Sequence, residues 1–142
     1  MKKLILLFLL SGGALLAKSQ YTFYSTNYNE ISKTSKEALS TSEQRQLYNI
    51  SFADKIFIHN KFKPGEDEIE DSQIYQITDV EDLGEGITMF TTLSGVTGNS
   101  YQYILKVNES GESSLTQVMK DEDYNIRFNG TLTSLKTVKQ NN

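Results

Sequence analysis

The sequence predicts an all-β protein: an antiparallel up-and-down meander that closes partly or fully into a barrel, or curls as an open sheet. Apolar and polar residues alternate in most segments after residue 46, which is typical of strands with one buried face. Turn-forming residues recur at strand-length spacing, so nearly all predicted links are short. A long meander with short links has to curl or close to protect its edges.

The first predicted strand covers 20–28, which is rich in aromatic residues and threonine. The segment 29–46 that follows has few apolar residues. Its Thr34 and Glu37 have the spacing in which a hydroxyl caps a helix and a carboxylate caps back. We therefore expect one or two short helical turns near 30–46, as the minor α component of the domain.

The later segments predict further strands separated by turns. These strands cover 47–52, 56–62, 73–81, 86–93, 100–107, 113–119, 124–128 and 131–138, which makes about nine with the first. Asn129 and Gly130 separate the last two and predict a type I′ hairpin, because both central positions of that turn need positive φ.

The first 19 residues differ in character from the rest of the chain. Lys2 and Lys3 precede an apolar run over 4–17, and Ala17 and Ser19 place small residues where signal peptidase requires them. The run is too short for a membrane-spanning helix, which needs about 20 apolar residues. These features indicate a secretory signal peptide.

We predict a signal peptide at 1–19, cleaved near Ser19 and Gln20, and a single β-rich domain at 20–142. The mature protein is then secreted or periplasmic and has no transmembrane segment. The formal net charge of the whole chain is −4. Without the signal peptide, 11 positive charges remain against 18 negative charges. An acidic surface disfavours nucleic acid as a partner, because phosphates have to be neutralised by basic side chains.

The composition excludes several kinds of site. The chain has no Cys and one His, so a disulfide framework, a thiol nucleophile and a multi-histidine metal site are excluded. A Ser-His-Asp triad would have to use His59, which lies in an alternating strand on the face of Phe57 and Lys61. That position is typical of a half-exposed strand histidine. We expect no enzymatic activity and no cofactor.

Acidic residues form the most visible clusters, at 66–71 and 121–123. Calcium takes six to eight oxygen ligands, so Asp121, Asp123 and Asn125 are candidate ligands at alternate positions. The spacing then departs from a helix-loop-helix calcium site, since position 126 is Ile where that site needs Gly. The other interpretation is a solvated loop that keeps the protein soluble.

Aromatic side chains are candidates for lining a cavity inside the barrel. The eight tyrosines spread over most predicted strands. Tyrosine also suits any half-buried pleated surface, so the pattern by itself does not require a pocket. If a cavity exists, we expect Tyr75, Phe90, Tyr101 and Tyr103 to line it and to hold a small apolar or sugar-like ligand.

The signal peptide, the absence of Cys and the ending Tyr-x-Ile-x-Phe-Asn-Gly-Thr at 124–131 resemble small exported β-proteins of Gram-negative bacteria. The strand-turn series over 47–138 is similar in pattern to calycin barrels, the lipocalins and fatty-acid-binding proteins, over about two thirds of the chain. The chain has no Trp, so it lacks the lipocalin Gly-x-Trp motif. No functional residue is carried over from these families.

Three functional hypotheses follow. The first is an exported, non-enzymatic β-protein that binds a small ligand in a barrel-like cavity. The second is a structural or interaction module of the cell envelope that acts through its surface or a sheet edge. The third is a calcium-assisted adhesion or folding module. The candidate partners are therefore a small molecule or an envelope protein.

Overall fold

A computed structural model describes residues 20–108, 110 and 112–135 of the chain. Eight strands and no helix make up this described part. The strands are β1 (Gln20–Ser32), β2 (Ala38–Ser51), β3 (Ile56–Phe62), β4 (Ile69–Gly84), β5 (Ile87–Ser94), β6 (Ser100–Val107), β7 (Glu112–Val118) and β8 (Tyr124–Leu135). The predicted signal peptide at 1–19 lies outside the described residues.

Successive strands are antiparallel neighbours, and the sheet closes on itself. β1 pairs with β2 on one side and with β8 on the other, which joins the two ends of the meander. The predicted all-β, up-and-down meander is therefore confirmed, and the sheet takes the closed form. Closure pairs both sides of each described strand, which protects the edges that an open sheet would present.

The core consists of the side chains that point into the barrel. Each strand turns every second residue inward, and in β5 these residues are Thr88, Phe90, Thr92 and Ser94. More than half of the buried apolar side chains carry aromatic rings. The core contains Phe23, Tyr48, Ile50, Phe52, Phe57, Ile77, Phe90, Tyr103, Leu105, Leu115 and Phe128. Burying each large apolar side chain stabilises the fold by about 1.5–3 kcal/mol.

The helical turns predicted near 30–46 are wrong, because this segment forms the β1–β2 hairpin. Its residues pair across the hairpin, for example Glu30 with Ser40. The hydroxyl of Ser32 accepts hydrogen bonds from the backbone N–H groups of Thr34 and Ser35. Ser and Thr side chains satisfy backbone donors in turns as well as at helix N-termini, so the hydroxyl pattern predicts both structures.

The hairpin predicted at Asn129 and Gly130 is also wrong, because both residues lie inside β8. Gly130 does not have the positive φ that a type I′ turn requires. It lies opposite a β-bulge in β1, where the register shifts between Ser25 and Asn27. A glycine within a strand often marks a bulge or a close approach of another backbone.

Candidate functional site

Four loops surround one end of the barrel, which we call the upper end. They are the loops at 33–37, 63–68, 95–99 and 119–123. Consecutive antiparallel strands alternate in direction, so every second link of the meander reaches this end. The two acidic clusters separated in the sequence, 66–71 and 121–123, are thereby brought to the same end of the barrel.

The four predicted lining residues all belong to the inward face and lie close together. Phe90 and Tyr103 are register partners on β5 and β6, with ring centroids 5.6 Å apart. Both side chains are almost fully buried. Tyr75 and Tyr101 are half-buried, and their rings meet edge to face at 5.9 Å. These two tyrosines therefore lie between the buried core and solvent.

Below Tyr75 and Tyr101, aromatic rings fill the barrel. The Phe57 ring lies 4.8 Å from the Tyr103 ring and 5.6 Å from the Phe90 ring, measured between centroids. Rings at these distances are in contact and leave no room for a ligand between them. These three rings form a packed floor on the core side of Tyr75 and Tyr101.

A polar layer that the sequence analysis missed lies beside this floor. The Tyr48 ring stacks on the His59 ring with 4.6 Å between centroids and 8° between planes. The Tyr48 hydroxyl donates a 2.7 Å hydrogen bond to Gln46 Oε1, and His59 Nε2 contacts the same oxygen. The buried Gln46 amide thus joins the tyrosine and the histidine. His59 lies on the face of Phe57, as predicted.

Burial changes the acid–base properties of this layer. Removal from water raises the pKa of the Tyr48 and Tyr103 hydroxyls above the ordinary tyrosine value, because it disfavours the charged form. Burial lowers the pKa of His59 to about 4; the charge of Asp71 raises this pKa by a smaller amount, and the charge of Lys61 lowers it further. The inward groups are therefore neutral near pH 7 and act as uncharged hydrogen-bonding groups.

The rim of the upper end carries further polar side chains. The Tyr75 hydroxyl donates a hydrogen bond to Gln73 Oε1, and Gln73 Nε2 donates to Asp71 Oδ2 at 3.1 Å. Lys61 lies 3.8 Å from Glu70 across the β3–β4 pair. This chain of contacts connects a core-facing tyrosine to an exposed carboxylate at the rim.

The calcium candidates occupy the β7–β8 loop and the start of β8. Asn125 Oδ1 accepts a hydrogen bond from the backbone N–H of Met119 at 3.1 Å, so one of the three predicted ligand oxygens already has a partner. Within the described residues, no group of three or more His, Cys, Asp and Glu side chains could hold a metal ion. Calcium binding at Asp121, Asp123 and Asn125 stays a prediction.

No family model, curated protein or solved structure matches this chain. The described residues contain no helix that is long and apolar enough to cross a membrane. A functional proposal therefore rests on the geometry of the chain's own residues.

Proposed function

We propose that this protein is an exported, non-enzymatic β-barrel that binds a small ligand at its upper end, on the exposed side of the Tyr75 and Tyr101 rings. The observation that carries the proposal is the position of these two rings. They meet at 5.9 Å, remain half-exposed, and stand above a floor of buried aromatic rings. Sites for small molecules usually combine such apolar surfaces with a few polar groups that fix the orientation of the ligand.

The chemistry around the two rings favours a compact ligand with an apolar face and hydroxyl groups. The ring faces offer apolar contact, while the hydroxyls of Tyr75 and Tyr101 offer hydrogen bonds. The amide of Gln73 already contacts Tyr75, which holds that hydroxyl in place. A sugar-like molecule or a small apolar molecule fits this combination.

The surroundings of His59 support a binding role over catalysis. Its Nε2 contacts a glutamine amide, and its ring face is covered by Tyr48. With a pKa of about 4, the ring is neutral near pH 7. General acid–base catalysis works best when the pKa of the group lies near the working pH. This histidine is therefore poorly suited to transfer protons.

Export is tested by expressing the full chain in a Gram-negative host and determining the N-terminus of the recovered protein. We expect cleavage near Ser19 and Gln20 and recovery from the periplasm or the medium. An intact N-terminus on protein found only in the cytoplasm would contradict the export part of the proposal. Ligand binding is tested separately with the same material.

Binding is tested by titrating the recovered protein with a fluorescent apolar probe, anilinonaphthalene sulfonate, and with a panel of neutral sugars. We expect at least one of these to bind, and Tyr101→Ala to weaken it by about tenfold, the loss of one well-packed aromatic contact. Tyr24→Ala is the matched control, because Tyr24 faces outward, between the inward Phe23 and Ser25. Equal weakening by both variants, or no binding at all, would contradict the proposed site.

A second candidate function is interaction through the outer face of the barrel. Ile58 and Ile74 are register partners on β3 and β4, and Ile74 is 65% exposed. Ile56, 41% exposed, extends this apolar patch along β3. Exposed apolar patches often mark interaction sites. If the patch binds an envelope protein, Ile74→Glu abolishes capture of that protein and leaves ligand binding at the upper end unchanged.

A further inference from the structure

A polar groove of about 540 Å³ crosses the outer face of the barrel where β1, β6, β7 and β8 adjoin. It lies on the opposite side of the sheet from the aromatic core. Its lining includes the polar residues Asn27, Lys106, Glu112, Ser114, Arg127 and Asn129. This lining contains no aromatic ring, which separates it chemically from the site at the upper end.

The register of four strands aligns the polar side chains across the groove. Lys106 on β6 pairs with Ser114 on β7, and Ser114 pairs with Asn129 on β8. Asn129 in turn pairs with Asn27 on β1. Register partners present their side chains on the same face, so these four form one continuous row.

Hydrogen bonds hold the amide groups of this row in fixed positions. Asn129 Nδ2 donates to Asn27 Oδ1 at 3.0 Å and to Asn29 Oδ1 at 2.6 Å. The Asn29 amide is itself anchored by a 2.7 Å hydrogen bond to the hydroxyl of Thr41. The asparagines are thus arranged before any ligand binds, which lowers the entropic cost of binding.

Arg127 lines the groove, and its Nε is buried without a hydrogen-bond partner among the described residues. Leaving a buried donor unsatisfied is unfavourable, so native proteins rarely do it without a reason. Arg127 and Lys106 also form no salt bridge with another described residue. The groove therefore offers positive charge and hydrogen-bond donors that the described chain does not use.

We propose that this groove binds a sugar acid, a ligand that carries both a carboxylate and several hydroxyl groups. The carboxylate contacts Arg127 and Lys106, because a guanidinium matches the planar geometry of a carboxylate. The hydroxyls exchange hydrogen bonds with the amides of Asn27 and Asn129 and with Ser114. The carboxylate of Glu112, at the margin of the groove, accepts a hydrogen bond from a ligand hydroxyl. This inference does not depend on the proposed site at the upper end.

The experiment is calorimetric titration of the recovered protein with glucuronate, with an acidic oligosaccharide built from uronic acids, with glucose and with inorganic phosphate. We expect glucuronate or the oligosaccharide to bind. Glucose and phosphate should bind at least about tenfold more weakly, because glucose lacks the carboxylate and phosphate lacks the sugar hydroxyl groups. Binding of glucuronate identifies a single sugar acid as sufficient, whereas binding of the oligosaccharide alone identifies a polymeric source.

Two substitutions test which residues of the groove contact the ligand. Arg127→Gln and Lys106→Gln should each weaken binding by about tenfold, the effect of losing a hydrogen bond to a charged group. Lys106 is exposed, so its substitution leaves the fold intact even if Arg127→Gln destabilises it. Lys55→Gln is the control, because Lys55 lies in the β2–β3 turn outside the groove lining. The proposal is overturned if neither sugar acid binds, if phosphate binds as tightly, or if Lys106→Gln has no effect.

Discussion

Gly130 of β8 passes so close to β1 that a Cβ atom at this position would lie 2.0 Å from the backbone carbonyl oxygen of Tyr24. The neighbouring Ser25 is fully buried, and its Oγ lies 2.8 and 2.7 Å from the carbonyl oxygens of Asn27 and Asn129, which share its one hydroxyl proton. The hydroxyl thus bridges the two sides of the β1 bulge. This contact lies within the pairing of β1 with β8 that closes the barrel.

We therefore predict that Gly130→Ala destabilises the protein by about 1–3 kcal/mol or more, the range for forcing atoms into a packed site. The atom that the new methyl group would meet belongs to the backbone and cannot rotate away, so β1 and β8 have to separate. The measurement is the free energy of unfolding from urea denaturation.

Gly95→Ala is the matched control for this prediction. A Cβ at Gly95 would meet no atom within 4 Å, and its backbone is not in the positive-φ region. We expect that variant to unfold at the wild-type urea concentration. Similar losses in the two variants would show that the Tyr24 contact is not what requires glycine at position 130.

The fold was predictable from the sequence because most strands alternate clearly and most links are short. A local sequence pattern cannot distinguish two structures that favour the same residue types. Hydroxyl-rich residues around Ser32 fit a helix cap and a hairpin turn equally, and Asn129 with Gly130 fits a type I′ turn or a glycine opposite a bulge. Which alternative forms depends on the partner strand, which a local pattern does not contain.

The candidate site was predictable in its aromatic part only. Phe90 lies on β5, and Tyr101 and Tyr103 lie on β6. These two strands pair in a register that turns all three side chains into the barrel. Gln46 and Gln73 escaped prediction, since glutamine is mostly exposed in proteins and its inward position follows from the register of β2, β3 and β4. The polar groove on the outer face likewise joins residues from four strands, and their spacing in the sequence gives no sign of it.

Phe57 packs against several other aromatic rings of the core, and we predict that Phe57→Ala destabilises the protein by about 3–5 kcal/mol. Its ring is completely buried and contacts the rings of Tyr48, Tyr75, Phe90 and Tyr103. Ile74→Ala is the control on the outer face, where the side chain is 65% exposed. Urea denaturation should separate the two variants clearly, and a small loss for Phe57→Ala would mean that the barrel interior repacks freely.

Arg45 anchors the acidic loop at 63–68 to the barrel wall. Its guanidinium lies 4.6 Å from the centroid of the Phe62 ring, donates to the backbone carbonyl of Glu66 at 2.9 Å, and forms a 2.8 Å ion pair with Asp67. Because exposed ion pairs contribute little to stability, we expect Arg45→Met to loosen the loop without changing global unfolding much.

The measurement for Arg45→Met is amide hydrogen exchange, which should become faster in 63–68 and stay unchanged in β5 and β6. Lys63→Met is the matched control, because it removes only the 3.0 Å ion pair between Lys63 and Glu68. If both variants accelerate exchange equally, the loop is held by its own charges and not by Arg45.

His59 makes the stability of the protein depend on pH. Burial lowers its pKa from the usual 6.5 to about 4 in the folded protein. Between these two values the unfolded chain binds the proton and the folded protein does not, so the free energy of unfolding falls as the pH falls through this window. At about 1.4 kcal/mol per pKa unit, the full loss amounts to about 3 kcal/mol. Above pH 6.5 both states are neutral at this residue, and its contribution is constant.

Two measurements test this dependence. His59 is the single histidine of the chain, so its ring proton resonances in NMR report one titration without overlap, and we expect a midpoint near pH 4. Urea denaturation at pH 7 and pH 4.5 should show a loss of stability that is smaller in His59→Gln, since glutamine keeps a polar side chain but does not titrate. Carboxylates titrate in the same acidic range, which is why the difference between wild type and variant is the informative quantity. A midpoint near 6.5 would instead mean that the ring is solvated, and that Tyr48 and Gln46 do not enclose it.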